Sequence, residues 1–167
     1  LGYVPQKGVL FSGTIDSNIR YGKPEITDAQ VKEAAEVAQA TEFIDTKPEK
    51  YESPVSQGGT NVSGGQKQRL SIARAIAKDP EIFIFDDSFS ALDFKTDSQL
   101  RKALKEYTKD ATTVIVAQRI STILGADQII VLDDGHMAGI GTHKELMANC
   151  EVYQQIARSQ LSEEELA

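Results

Sequence analysis

The sequence predicts an α/β fold in which parallel strands alternate with helices. Residues 81–85 are apolar apart from the first and run directly into two aspartates, a pattern typical of a strand buried inside a parallel sheet. A helical pattern over 96–109 and a second apolar strand over 112–116 follow it, so the chain alternates strand, helix and strand. Of the 167 residues, 40% are hydrophobic and 26% are charged, which allows one packed domain.

The N-terminal half begins with a strand and is then mostly helical. Residues 1–4 are predicted to form a strand that ends at a Pro-Gln turn. Thr27 is predicted to cap a first helix, and a shorter helix is predicted over 41–45. After a loop rich in glycine, serine and proline, a long helix is predicted over 65–77. It ends before Pro80, which cannot continue a helix.

The C-terminal third continues the alternation. A short helix is predicted near Ser121, and Asp133-Asp134-Gly135 indicates a hairpin turn. The other predicted elements are strands over 128–132 and 136–140 and helices over 142–147 and 152–161. The glutamates over 163–165 are predicted to form a solvated end.

Composition argues against several classes of protein. The 18 basic and 25 acidic residues give a net charge of −7, whereas a nucleic-acid binder needs a basic face. A nucleotide remains possible, because backbone N–H groups and a metal ion can hold phosphates. Cys150 is the only cysteine, so no disulfide can form within the chain. No apolar run approaches the roughly 20 residues of a membrane-spanning helix.

The most informative segment opens the long predicted helix. Ser63, Gly64, Gly65 and Gln66 surround a helix start whose first N–H groups lack partners within the helix, and glycine lets a phosphate approach the backbone. Alone, the pattern also fits an ordinary capped helix. Together with the rest of 61–76, it resembles the signature motif of ABC ATPases. The resemblance implies that these residues bind the γ-phosphate of ATP held by a partner domain.

Two aspartates follow the predicted strand, and 82–87 resembles the Walker B element of that family. The resemblance implies that Asp86 holds Mg²⁺. The family usually places a glutamate next, which polarises the attacking water. Here it is Asp87, whose reach is shorter by roughly 1.5 Å. Because a misplacement of about 1 Å can cost about a hundredfold in rate, we expect slow hydrolysis. Residues 90–93 resemble the D-loop, whose aspartate, here Asp93, reaches across a dimer interface.

A second departure from the family follows the strand over 112–116. ABC exporters usually read Ala-His-Arg there, whereas Gln118 takes the histidine's place in this sequence. An amide can bind a γ-phosphate but cannot titrate near neutral pH. We expect Asp87 and Gln118 to belong to one catalytic site. Because both departures from the family pattern fall in one site, we interpret this chain as the degenerate half of a heterodimer.

Residues 3–6 resemble the Q-loop of the family, and the resemblance implies that Gln6 senses the Mg²⁺ bound to ATP. Residues 11–15 and 18–22 resemble exporters of the multidrug and lipid type. The stretch over 53–59 lacks the glutamate-arginine pair that exporters usually carry there.

The resemblance covers nearly the whole chain and implies a P-loop NTPase (RecA-like) ABC ATPase core with an inserted helical subdomain, incomplete at the N-terminal side. It divides 1–167 into a Q-loop region over 1–22, a helical subdomain over 23–78 and the rest of the α/β core over 79–167. No Gly-x-x-x-x-Gly-Lys-Ser/Thr occurs, so the P-loop is expected before this chain, and the isolated chain is expected to be inactive.

The implied function is that of an ATP-binding domain that couples ATP hydrolysis to export. Its implied cofactors are ATP and Mg²⁺, and its implied partners are a transmembrane domain and a second nucleotide-binding domain, without nucleic acid. The implied location is the cytoplasmic face of a bacterial cell membrane. Two alternatives stay open: a soluble ABC ATPase of the DNA-repair or translation-factor kind, and a regulatory half that binds ATP without hydrolysing it.

Overall fold

The computed structural model describes residues 1–162, so the predicted solvated end over 163–165 lies outside the described residues. The chain forms two compact units, one over Leu1–Val116 and one from Ala117 onward. Within the described residues, no helix combines the length and the apolar character needed to cross a membrane.

The first unit contains a three-stranded sheet, a two-stranded sheet and five helices among its described residues. In chain order these are β1 (Gly2–Val4), β2 (Gly13–Thr14), α1 (Ile15–Ile19), α2 (Asp28–Val37), α3 (Thr41–Asp45), β3 (Pro54–Val55), α4 (Gly64–Ala77), β4 (Ile82–Asp86), α5 (Phe94–Tyr107) and β5 (Thr112–Val116). Short 3₁₀ turns at Lys50–Glu52 and Gln57–Gly59 lie on either side of β3.

The main sheet is parallel, with strand order β1-β4-β5. Tyr3 pairs with Ile84, and Ile84 pairs with Val114 on the other side. The prediction that β4 is a buried parallel strand is confirmed, because strands flank it on both sides. Phe83 and Phe85 are each 1% exposed, and their rings stack 5.9 Å apart. The carboxyl ends of β1 and β4 therefore meet at one edge of the sheet.

Four of the five helices of this unit begin at a capping side chain, and α3 is the exception. Thr27 caps α2 through a capping box with Gln30, and Ser63 caps α4 in the same way. Helix α4 packs against α1 and α2 and buries most of one face. Helix α1, which has only five residues and is capped by Thr14, was not predicted from the sequence.

The boundaries of α5 differ from the prediction. The helix begins at Phe94, two residues before the predicted start, because Asp93 accepts a hydrogen bond from the backbone N–H of Thr96 at 3.0 Å. Phe94 is 87% exposed, so the first turn has no apolar face that would have marked it in the sequence.

Up to residue 162, the second unit joins a hairpin to three helices. These are α6 (Ile120–Ile123), β6 (Ile129–Asp133), β7 (His136–Gly141), α7 (His143–Asn149) and α8 (Glu151–Gln160). Strands β6 and β7 pair antiparallel, and the turn residues Asp134 and Gly135 have φ of 47° and 77°, as a tight hairpin requires. Cys150 is buried at 6% exposure, where a free cysteine packs as a small hydrophobe.

Candidate functional site

The carboxyl edge of the parallel sheet brings Gln6, Asp86 and Asp87 together. Gln6 follows β1, and its Nε2 donates a hydrogen bond to Oδ2 of Asp87 at 3.1 Å. Tyr3 on β1 donates from its hydroxyl to Oδ2 of Asp86 at 3.3 Å. Desolvation, and then the negative charge of Asp86, raise the pKa of Tyr3. Because parallel strands end at the same edge, residues about 80 positions apart in the sequence become neighbours.

The backbone at Asp87 has an unusual conformation. Its φ is 44°, in the left-handed region, which aspartate tolerates better than most residues. Two hydrogen bonds hold it there: the Asp87 N–H donates to the carbonyl of Val116 at 2.8 Å, and the Ser90 hydroxyl donates to the carbonyl of Asp87 at 3.0 Å. These two hydrogen bonds, one to β5 and one from Ser90, therefore hold the turn that follows β4.

The donor set fits a magnesium ion that is shared with a ligand. Asp86 offers carboxylate oxygens, and Gln6 offers an amide oxygen on the same edge. Mg²⁺ prefers oxygen donors and is commonly held by one or two carboxylates together with substrate phosphates and water. Within residues 1–162, no group of three or more His, Cys, Asp or Glu side chains could hold a metal alone. The residues therefore suit a cation that arrives with a phosphate ligand.

The start of α4 presents unpartnered backbone donors. The Ser63 hydroxyl accepts from the Gln66 N–H at 3.2 Å, and Gln66 Oε1 accepts from the Ser63 N–H at 3.1 Å. This capping box leaves the N–H groups of Gly64 and Gly65 at the exposed first turn, which has no helical partner for them. A Cβ at Gly64 would meet nothing within 4 Å. An anion can therefore approach this helix end directly.

The loop that carries Asp93 lies beside this helix start. A Cβ at Gly65 would be 3.6 Å from the carbonyl oxygen of Ala91 and 3.8 Å from Leu92. Asp93 caps α5, and the hydrogen bonds from Thr96 lower the pKa of the Asp93 carboxyl. Asp93 is exposed. The predicted signature and D-loop residues are thus neighbours in one unit.

Gln118 belongs to the second unit, where its side chain is exposed. Its carbonyl accepts a hydrogen bond from Nε2 of Gln160 at 2.9 Å, and Gln160 Oε1 accepts from the Ile120 N–H at 2.9 Å. Gln160 thus holds the backbone around Gln118 from α8. No local pattern in the sequence indicates this contact, because the two residues lie 42 positions apart.

Two buried side chains near Gln6 were also missed. The Ser88 hydroxyl, 1% exposed, donates to the carbonyl of Val4 at 2.8 Å. Gln68, also 1% exposed, binds the backbone of Pro5 and Gly8 from α4. Gln68 could have been recognised in the sequence, because it is a polar residue within the apolar pattern of a predicted helix.

Comparisons with known proteins agree on one family. The family model described as ABC transporter matches residues 1–90. An ABC transporter ATP-binding protein of Mycobacterium tuberculosis is 47% identical over 163 residues, which are 96% of this chain and 28% of that protein. A multidrug export ATP-binding/permease protein of Staphylococcus aureus is 46% identical over 156 residues, which are 93% of this chain and 27% of that protein.

A solved structure agrees with these relatives. The chain matches a bacterial Atm1-family ABC exporter with ATP bound, at a TM-score of 0.92 and 39% identity, over 97% of this chain and 29% of that chain. The chain therefore spans less than a third of the length of these proteins. The matched family model covers more than half of the 167 residues. The chain thus belongs to the ABC transporter family and has the fold of its ATP-binding domain, as its motifs predicted.

Proposed function

We propose that this chain is the ATP-binding part of an ABC exporter and acts with ATP and Mg²⁺. The single observation that carries the proposal is the cluster of Gln6, Asp86 and Asp87 at the carboxyl edge of the parallel sheet, where open α/β sheets bind ligands. The exporter named as ATP-bound in the structural comparison supports the nucleotide, and the relative named as a multidrug exporter supports the direction of transport.

Each site residue has a separate proposed role. Asp86 and Gln6 supply oxygen ligands to a magnesium ion, which offsets the charge of the nucleotide phosphates when it is bound. Asp87, which contacts Gln6 at 3.1 Å, orients the attacking water. Gln118 provides an amide toward the γ-phosphate. Gln6, Asp86 and Asp87 lie together in the first unit, whereas the role of Gln118 rests on its motif alone.

The start of α4 serves a different nucleotide. Ser63, Gly64, Gly65 and Gln66 present backbone and hydroxyl donors to ATP held by a second nucleotide-binding domain, which docks head to tail. Asp93, adjacent to that helix start, reaches toward the same interface. The exposed N–H groups of the first turn support this role, because their own unit supplies no partner for them.

The proposed partners follow from this arrangement. One is a second ATP-binding domain, and the other is a transmembrane domain of the same transporter, which would place this chain at the cytoplasmic face of a cell membrane. The exporter-like segments over 11–15 and 18–22 support the second partner. The division into 1–22, 23–78 and 79–167 remains a prediction.

We also propose that the chain's own site is degenerate. The side chain of Asp87 is shorter by one methylene than that of the usual glutamate, which displaces its carboxylate from the attacking water. A displacement of about 1 Å costs about a hundredfold in the rate of hydrolysis. Gln118 replaces an imidazole that can carry a proton, which removes an electrostatic contribution. Both changes slow hydrolysis while leaving groups that bind ATP. The same observation favours the second candidate, a regulatory half that binds ATP without turnover.

The test is single-turnover ATP hydrolysis in the assembled transporter, resolved for each nucleotide site. We expect Asp87→Glu to accelerate hydrolysis at the chain's own site by roughly ten- to a hundredfold, because the added methylene restores the reach to water. Adding Gln118→His is expected to increase it further. Equal hydrolysis at both sites of the unmodified transporter would refute the degenerate-site proposal.

Asp134→Glu is a matched control for this test. It adds the same methylene to an exposed aspartate that also has a positive φ, 47° against 44° at Asp87. We expect no change in hydrolysis from this variant. Co-purification with a transmembrane partner decides against a soluble ABC ATPase. A rate that stays at background after both substitutions at Asp87 and Gln118 favours the regulatory half.

A further inference from the structure

Gln68 is a buried polar residue to which the proposed function assigns no role. It lies on α4 and is 1% exposed. Its Oε1 accepts a hydrogen bond from the Gly8 N–H at 2.8 Å, and its Nε2 donates to the Pro5 carbonyl at 3.1 Å. Pro5 and Gly8 lie on either side of Gln6 in the sequence. One amide therefore binds the backbone both before and after Gln6.

The loop over 5–8 also lies directly on the helix backbone. A Cβ at Gly8 would be 2.8 Å from the Lys67 carbonyl oxygen and 2.9 Å from the Ser71 hydroxyl oxygen, so no side chain fits between loop and helix. The Gln6 side chain itself is exposed. Its position is consequently determined by the backbone that carries it, and Gln68 supplies two of the contacts of that backbone.

We propose that Gln68 is a positioning residue that fixes the Gln6 loop, residues 5–8, on α4, so that this loop and the phosphate-binding start of α4 move together. An apolar side chain at this position leaves the Gly8 N–H and the Pro5 carbonyl without partners, and the loop then leaves the helix to find water. The inference rests on the proposed function, because Gln6 matters only in a site that binds magnesium and ATP.

The first experiment measures loop mobility without nucleotide. A spin label is attached at Lys7→Cys in the complete transporter, with Cys150→Ser and all other cysteines removed. Gln68→Met, which keeps the volume and removes both hydrogen bonds, is expected to narrow the spectrum of the label as its motion increases. An unchanged spectrum overturns the proposal. Since hydrolysis plays no part, this result stands whether or not the proposed function does.

Ser71→Ala is the matched control for that experiment. Ser71 lies on the same helix next to Gly8, is 3% exposed, and its hydroxyl has no hydrogen-bond partner among the described residues. We expect the spin-label spectrum of the Ser71→Ala variant to equal that of the parent transporter. If Gln68→Met prevents folding, Gln68→Asn replaces it, because the shorter amide cannot span both backbone groups.

The second experiment asks whether Gln68 acts through Gln6. A photoreactive ATP analogue labels this chain in the complete transporter, and the Mg²⁺ concentration for half-maximal labelling is measured. Gln68→Met and Gln6→Ala are each expected to raise this Mg²⁺ concentration by roughly tenfold, because the loss of supporting contacts weakens metal binding by about that factor. In the Gln6→Ala background, Gln68→Met is expected to add nothing.

The outcomes of this cycle are distinct. Effects that multiply in the double variant overturn the proposal, because Gln68 then acts independently of Gln6. A parent transporter that the analogue does not label contradicts the proposed function instead, and the spin-label spectra then decide the role of Gln68. An unchanged magnesium dependence in Gln68→Met, beside a shifted one in Gln6→Ala, also overturns the proposal.

Discussion

Single buried polar residues organise the segments around the site. Asn18 is 1% exposed and uses its whole amide: Oδ1 accepts from the Phe11 N–H at 2.9 Å and from Arg74 at 2.9 Å, and Nδ2 donates to the carbonyls of Phe11 at 2.8 Å and Thr14 at 2.9 Å. The Arg74 guanidinium lies 5.3 Å from the centre of the Phe11 ring. One asparagine therefore links the loop before α1 to α4.

At this scale we predict that Asn18→Leu destabilises the first unit by about 3 kcal/mol, because the change removes the side-chain partner of the Phe11 N–H, of the Phe11 carbonyl and of the Arg74 guanidinium. The free energy of unfolding is measured in urea by circular dichroism, since the chain has no tryptophan. Asn149→Leu, at an exposed helix end, is the control and is expected to have little effect. A loss as small as that of Asn149→Leu would contradict the prediction.

At the scale of elements, the start of α5 depends on a titrating cap. Hydrogen bonds from Thr96 lower the pKa of the Asp93 carboxyl. A carboxyl whose folded pKa is lowered contributes stability above its unfolded pKa of about 3.9, and that contribution is lost as the pH falls through the folded pKa. The N-terminal turn of α5 should therefore weaken in acid.

We predict that Asp93→Asn leaves the melting temperature nearly unchanged at pH 7, because asparagine caps helices as well as aspartate does. As the pH falls below the unfolded pKa of about 3.9, the variant should lose less stability than the parent, because its cap cannot be protonated. Thermal melts followed by circular dichroism measure both. Asp110→Asn, at an exposed position after α5, should follow the parent, and identical acid limbs for all three proteins would exclude the cap effect.

At the scale of the whole molecule, the 167 residues contain no Gly-x-x-x-x-Gly-Lys-Ser/Thr loop. That loop supplies the backbone donors and the lysine that hold nucleotide phosphates in P-loop NTPases. We predict that this chain alone shows no magnesium-dependent ATPase activity, measured as phosphate release. Asp86→Asn is the control for contaminating enzymes, because it leaves a contaminant's rate unchanged. Robust turnover by the parent that Asp86→Asn abolishes would refute the prediction.

Local patterns in the sequence were sufficient for most elements and for the family. Strand β5 and helix α3 occur at the predicted residues, and α4 and the β6–β7 hairpin begin and end within one residue of their predicted bounds. These elements depend on neighbours in the sequence, namely caps, apolar periodicity and turn residues. The motif residues Ser63, Asp86 and Gln6 could be named for the same reason, because each lies at the end of such an element.

Contacts between distant residues were decided by the tertiary structure alone. The hydrogen bonds of Gln6 with Asp87, of Gln68 with Pro5 and Gly8, and of Gln160 with the Gln118 backbone each join residues 42 or more positions apart. No local periodicity encodes such a pair, because strand order and helix packing determine which residues meet. The chemistry of the candidate site was therefore present in the sequence, whereas the hydrogen bonds from Gln68 and Gln160 to the backbone near the site residues arise only when the chain folds.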